Sequence, residues 1–195
     1  MTPAVPLYLS PADVAKWTNG LAVFDRQNEH AMCAILSVFG IPGSLLDVGS
    51  GTGAMVNHAR KVGVDAWGLD ALPLGAAWPH LVQHDLRAPF DFGRTFEMVT
   101  SIETAEHIDP EYADVLCDTI ARHVAPGGLL IFTAAMPGQI GDGHVNCRPM
   151  IEWRTKFHER GLQYSPPATW KLMVGLSVCH TSQHHVEANL SVFIR

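Results

Sequence analysis

A chain of 195 residues, 47% hydrophobic and 16% charged, is long enough to bury most of the surface its unfolded form exposes, which excludes intrinsic disorder and collagen-like repeats. Its 13 Lys and Arg against 19 Asp and Glu give a net charge of −6 with no dense basic run, so there is no strong nucleic-acid signal. No apolar stretch approaches the ~20 residues of a membrane helix, and the opening residues lack the basic-then-apolar pattern of a secretory signal, so the expectation is a cytoplasmic protein with no membrane association.

Ser10-Pro11-Ala12-Asp13 sets an N-cap candidate before a proline at the first helical position and predicts a short helix ending at Asn19-Gly20. His30, Ala31, Ala34, Ile35 and Val38 recur at helical spacing and predict a second helix over 25–39, closed by Gly40. Beyond Ser44, short apolar runs alternate with helical segments. Strands are predicted over 45–48, 66–69, 81–84, 97–100 and 129–133, and helices over 52–62 and 110–124. That alternation predicts βαβ units and a parallel sheet. A glycine-rich loop over 138–143 reads as a lid or as a plain connector, and a helix follows over 149–160. The segments 171–179 and 187–194 read as a closing antiparallel strand pair. Cys33, Cys117, Cys147 and Cys179 are scattered with no C-x-x-C pair, which predicts reduced, packed thiols.

Asp47-Val48-Gly49-Ser50-Gly51-Thr52-Gly53 lies where a buried strand gives way to a helix, and its glycines let the backbone approach a ligand closely. Gly49, Gly51 and Ala54 also satisfy the dinucleotide pattern G-x-G-x-x-G/A with Asp70 downstream, so an NAD-dependent oxidoreductase is one reading. Charge favours another. Asp47 would meet a pyrophosphate with a carboxylate, whereas a phosphate-free cation such as S-adenosyl-L-methionine suits an acidic mouth. Asp70 can accept from ribose hydroxyls and Asp85 from an adenine amino group.

Residues 45–53, Gly68-Leu69-Asp70, His84-Asp85-Leu86 and the turn 124–128 before an apolar strand resemble the cofactor motifs of class I S-adenosylmethionine-dependent methyltransferases. The resemblance spans about 43–135. It implies an α/β, Rossmann-like sandwich: a mostly parallel seven-stranded sheet with an antiparallel last strand and an N-terminal helical cover. It also implies one domain over 1–195, divided into a cover (1–42), a cofactor-binding half (43–135) and an acceptor-side half (136–195). Asp47, Gly49, Ser50, Gly51 and Gly53 would hold the methionine end, Asp70 and Ala71 the ribose, and Asp85 with Leu86 the adenine, with Ser101 completing the cofactor set.

Ser101-Ile102-Glu103-Thr104-Ala105-Glu106-His107 follows the fourth strand, at the sheet edge where open α/β folds place their chemistry. In a helix, Glu103 would share a face with Glu106 and His107, and two carboxyls so close need a proton or a cation between them. Glu-x-x-Glu-His with a later His144 resembles small-RNA 3′-end ribose methyltransferases and the O-methyltransferases of ubiquinone biosynthesis. That resemblance implies Glu103, Glu106, His107 and His144 as ligands of a divalent metal (Mn, Mg, Co or Fe), and Glu103, His107 and His144 as catalytic. An acid-histidine pair working without metal, His107 as general base, is the other reading of the same residues.

The expected activity is O-methylation of a small-molecule hydroxyl, ahead of N- or C-methylation. A non-catalytic S-adenosylmethionine-binding module serving a partner is the remaining alternative. His180, His184 and His185 read as solvated turn histidines. Trp17, Phe24, Trp153 and Trp170 read as core, with a weaker reading as an aromatic acceptor pocket. No motif specifies the oligomeric state.

Overall fold

A computed structural model describes residues 11–73, 78–178 and 188–195. Helices α1 (Pro11–Ala22) and α2 (Asp25–Phe39) lead into strand β1 (Ser44–Val48), helix α3 (Ala54–Lys61), and strands β2 (Asp65–Asp70), β3 (Leu81–Gln83) and β4 (Phe96–Ser101). Two 3-10 turns, Ala105–His107 and Pro110–Tyr112, precede helix α4 (Ala113–His123) and strand β5 (Val124–Phe132). Helix α5 (Met150–His158), strand β6 (Gln163–Tyr164), helix α6 (Pro166–Val178) and strand β7 (Ser191–Ile194) complete the order. No helix among the described residues is long and apolar enough to cross a membrane.

The seven strands form one sheet in the order β3-β2-β1-β4-β5-β7-β6. The first five strands run parallel, and β7 is antiparallel to both β5 and β6, as the resemblance implies. Neighbouring residues on each central strand serve opposite faces, because strand side chains alternate. Leu46, Val99, Leu130 and Phe193 join a core with Leu116 and Ile120 of α4 and Trp153 and Phe157 of α5. Leu45, Met98, Ile131 and Val192 join a second core with Met32 and Ile35 of α2, Val56 of α3 and Leu172 and Leu176 of α6. Strands buried on both faces carry continuous apolar runs, and that is why β1 was legible as a central parallel strand.

Two expectations need correction. The segment 171–179, read as a strand, lies within α6 as far as Val178. Ser165 Oγ accepts the Ala168 amide (3.3 Å), and Pro166 and Pro167 occupy the first turn, where a missing N–H costs nothing. Thr169, Leu172 and Leu176 face inward at helical spacing, and α6 passes so close to α2 that a Cβ on Gly175 would stand 2.5 Å from Val38 Cγ2. The partner of β7 is instead β6, through Gln163–Ile194 and Tyr164–Phe193 pairing. Helix α1 also continues past Asn19-Gly20 to Ala22. The cost of one helical glycine, about 1 kcal/mol, is offset because the extension carries Leu21 onto the glycine loop, 3.3 Å from where a Gly51 Cβ would sit.

Candidate active site at the carboxyl ends of the parallel strands

The turn between β1 and α3 is built on left-handed backbone: φ is 82° at Gly49, 53° at Gly51 and 82° at Gly53. A Cβ on Gly49 would stand 2.2 Å from Thr104 Oγ1, and one on Gly53 would stand 2.6 Å from Leu81 Cδ1. The crowding at these two positions therefore comes from the protein's own packing. At Gly51 the amide donates to Asp70 Oδ2 (2.8 Å) while Leu72 donates to Oδ1 (3.0 Å), so Asp70 ties the end of β2 to the loop.

Asp47 is 3% exposed and accepts a 2.6 Å hydrogen bond from Thr100 Oγ1 across the β1–β4 pairing. Burial pushes its carboxyl up to about 7; Thr100 opposes the rise and the charge of Asp70 adds to it. Burial raises Asp70 as well, against the Leu72 and Gly51 amides. Two carboxyls held above their ordinary range beside a glycine loop make a mouth that favours a cation. Thr100 escaped the sequence reading; the signal was that a buried acid on a central strand needs a donor on its neighbour.

Asp85 departs from the free acceptor expected at that position. Arg87 grips both of its oxygens through Nε and Nη2 (2.8–3.1 Å), and the Arg87 amide adds a third donor. Burial alone would raise the Asp85 carboxyl, but the Arg87 donors together hold it below the usual range. Leu86 is buried, and the Ser50 and Ser101 hydroxyls are buried with no partner among the described residues. The Ala71 carbonyl accepts from Gln83 Nε2.

The segment after β4 is not the regular helix that the spacing suggested. Glu103 has φ 48°, the only non-glycine residue with positive φ among the described residues, and its amide donates to Thr133 Oγ1 (2.9 Å) and Thr133 O (3.3 Å). The chain turns there, so Glu103 stands outside the short 3-10 turn that carries Glu106 and His107. Glu106 is 0% exposed, and its polar neighbours are the Glu103 carboxyl and the amides of Ala135 and of Glu106 itself. Burial, then the charge of Glu103, pushes the Glu106 carboxyl up to about 8.

Glu106, His107 and His144 each offer a ligand atom, and these atoms all lie within 4.8 Å of one another. Glu103, expected as a fourth ligand, is not in this group, although its carboxyl neighbours Glu106 and its charge acts on His107. His107 Nδ1 is 3.2 Å from Gly143 O and His144 Nδ1 is 3.0 Å from Gln139 O. A carbonyl can only accept, so each neutral ring carries its proton on Nδ1 and its lone pair on Nε2. The His107 side chain is exposed on one side, yet desolvation of its ring against the cluster, with the charge of His144 adding, lowers its pKa. A buried carboxyl beside two imidazoles fits a divalent ion, and the donor set of one oxygen and two nitrogens suits Mn²⁺, Fe²⁺ or Co²⁺ better than Mg²⁺.

Other candidates fall outside the cluster. Trp153 is fully buried 5.5 Å from Phe132, whereas Phe24 and Trp170 face solvent, so they line no common pocket. The Trp17 side chain, Cys179, His180, His184 and His185 lie outside the described residues. Cys117 is buried with its thiol pushed up to about 12, Cys147 is half-buried, and Cys33 is exposed, against the expectation of packing; all three are free thiols.

A parallel sheet of this order, with a glycine turn after β1 and acids at the ends of β1 and β2, defines the Rossmann-like class I methyltransferase fold. Residues 24–174 match the methyltransferase domain family, and the chain belongs to that family. The match decides the reading of the glycine loop against a dinucleotide site. A ubiquinone biosynthesis O-methyltransferase of Sinorhizobium medicae (strain WSM419) is 29% identical over 97 residues, covering 44% of this chain and 38% of that protein. The chain thus spans well under half the length of that curated relative. Among solved structures, Streptomyces venezuelae DesVI superposes with a TM-score of 0.66 at 19% identity, over 96% of this chain and 99% of DesVI. The sugar N-methyltransferase KedS8 from Streptoalloteichus sp ATCC 53650 gives 0.65 at 18% identity, over 100% of this chain and 98% of KedS8. At these identities the likeness is one of fold.

Proposed function

We propose that the protein transfers a methyl group from S-adenosylmethionine to a hydroxyl of a small molecule, assisted by a divalent ion held by Glu106, His107 and His144. The observation that carries this reading is the fully buried Glu106 carboxyl, with a ligand atom of it, of His107 and of His144 all within 4.8 Å of one another, at the strand ends next to the glycine loop. S-adenosylmethionine supplies a sulfonium-activated methyl and leaves as S-adenosylhomocysteine; a bound divalent ion supplies Lewis-acid polarisation of an oxygen. Asp47 faces the cationic end of the cofactor. Asp70 keeps acceptor capacity for ribose hydroxyls beyond the amides of Gly51, Leu72 and Ala71. Glu103, whose carboxyl neighbours that of Glu106, would take up the proton the hydroxyl loses.

The test is a melting-temperature matrix on metal-stripped protein with S-adenosylhomocysteine, S-adenosylmethionine or NADH, each with and without Mn²⁺ or Mg²⁺. A ligand that prefers the native state raises the melting point. We expect S-adenosylhomocysteine to stabilise, Mn²⁺ to add to it, and His144→Ala to abolish the Mn²⁺ increment alone. Stabilisation by NADH alone overturns the cofactor assignment, and no metal increment overturns the metal. Cofactor binding without turnover across hydroxylated acceptors favours the non-catalytic module.

Asp47 gives the site a pH dependence whose sign is fixed. The cationic end of the cofactor favours the carboxylate, which is lost as pH falls through about 7. Affinity for S-adenosylmethionine is therefore expected to fall by up to about tenfold per pH unit below that midpoint. Thr100→Val removes a donor that lowers the Asp47 pKa, so it moves the midpoint upward. Calorimetric titrations from pH 5.5 to 8.5 measure both, and a flat affinity profile contradicts the assignment.

A further inference from the structure

The cluster draws its second imidazole from the loop after β5, and what holds that imidazole lies outside the Glu-x-x-Glu-His motif. Gln139 O accepts from His144 Nδ1 at 3.0 Å, and the Cys147 sulfur lies against both, 3.8 Å from that carbonyl and 3.7 Å from Nδ1; the shorter contact to the carbonyl sets Nδ1 as the donor. Gln139 is itself fastened at three points. Its amide donates to Met136 O (3.0 Å), its Oε1 accepts the Met136 amide (2.5 Å), and the same Oε1 accepts from Asn189 Nδ2 (2.9 Å). The Met136 amide can only donate, which settles which end of the Gln139 side chain is oxygen; Asn189 must then be the donor in its bond to that oxygen.

Asn189 is 0% exposed, and its Oδ1 has no partner among the described residues. Among the described residues, Asn189 supplies the one side-chain donor to Gln139 Oε1. The His144 ring also lies against Gly141, where a Cβ would stand 2.2 Å from Nε2, so only glycine at this position leaves room for the ring.

We infer that Asn189 and Gln139 are positioning residues that hold His144 as its Nδ1–H tautomer, with the lone pair on Nε2. The tautomer stands on geometry alone, whereas its consequence for metal affinity rests on the function proposed above. Partners of this kind fix ring orientation, and their loss typically weakens metal binding by about 10- to 100-fold.

The experiment compares wild type with Asn189→Leu, which removes the donor at similar volume, and with Gln139→Glu, which keeps an acceptor for both the Met136 amide and Asn189. Long-range ¹H–¹⁵N spectra of metal-free protein report the His144 tautomer, electron paramagnetic resonance reports Mn²⁺ affinity, and S-adenosylhomocysteine affinity reports the integrity of the remaining fold. We expect a single Nδ1–H tautomer in wild type and in Gln139→Glu. In Asn189→Leu we expect mixed tautomers and Mn²⁺ binding weakened by about 10- to 100-fold, with S-adenosylhomocysteine affinity within about twofold of wild type. An unchanged tautomer in Asn189→Leu, or a parallel collapse of S-adenosylhomocysteine affinity, overturns the inference. A tautomer shift in a protein whose wild type binds no Mn²⁺ upholds the positioning role and overturns the metal.

Discussion

Glu106→Gln is expected to yield a protein that is more stable than wild type at pH 8 and inactive. The Glu106 carboxyl titrates near 8 in the folded protein, against 4.5 for an ordinary glutamate. The unfolded chain therefore gives up this proton before the folded one does. Stability is complete below about 4.5 and declines as pH rises toward 8, where the native state must ionise a buried group or hold a proton against the solvent. At 1.36 kcal/mol per unit, the penalty at pH 7–8 is on the order of 3 kcal/mol in metal-free protein. Glutamine keeps the shape and cannot ionise. Its melting temperature should exceed that of wild type by roughly 6–12 °C at pH 8 and by little at pH 5. The same change replaces the anionic oxygen ligand of the candidate metal site with a neutral amide oxygen, and the expected loss of turnover is about 10²- to 10⁴-fold. Calorimetric scans of both proteins at the two pH values, metal-free, decide the matter. A lower melting point at pH 8 refutes the account of Glu106.

Gly49→Ala is expected to abolish cofactor binding and cost several kcal/mol of stability. Two penalties act together. The backbone sits at φ 82°, a left-handed conformation that costs a residue with a Cβ about 1–2 kcal/mol. The added methyl also falls within 2.7 Å of Oγ1, Cγ2 and Cβ of Thr104, for a further 1–3 kcal/mol or so of overpacking. Thr104 is buried between the glycine turn and the turn that carries Glu106, so it can retreat only by moving one of them. Adding Thr104→Gly relieves the overlap and leaves the backbone cost, so the double variant should regain part of the lost melting temperature and little cofactor affinity. Full recovery by the double variant contradicts this division, and wild-type stability of Gly49→Ala contradicts both terms.

Much of this architecture was legible because short-range patterns and tertiary packing agreed. The apolar face of α2 and Gly40 fixed its limits at Asp25–Phe39, and the double-sided apolar run of β1 followed by three glycines marked both the central strand and the ligand turn. Sequence failed where a long-range contact overruled a local preference. Val174 and Val178 made α6 look like a strand, yet both lie on its exposed side, and Thr169, Leu172 and Leu176 packing inward decide its form. Gly20 looked like a helix stop, but the seat of Leu21 on the glycine loop carries α1 through it. At the candidate site, residue types were readable and their mutual placement was not. The Glu-x-x-Glu-His spacing gave Glu106 and His107, but the left-handed Glu103 depends on Thr133, thirty residues away in the chain. Thr100, Gln139 and Asn189 belong to no motif, since each matters through one hydrogen bond that only the folded chain creates.

The two outermost strands bear on how copies of this protein behave toward one another. Among the described residues the sheet is bounded by β3, with three residues, and β6, with two, while the longer strands lie inside. An exposed strand edge templates another chain by offering a row of unpaired amides and carbonyls, and very short edge strands blunt that hazard. A second molecule meeting either border finds a ladder too short to extend, so crowded copies are guarded against strand-to-strand growth even though the interior strands are rich in the β-branched and aromatic residues that build fibrils.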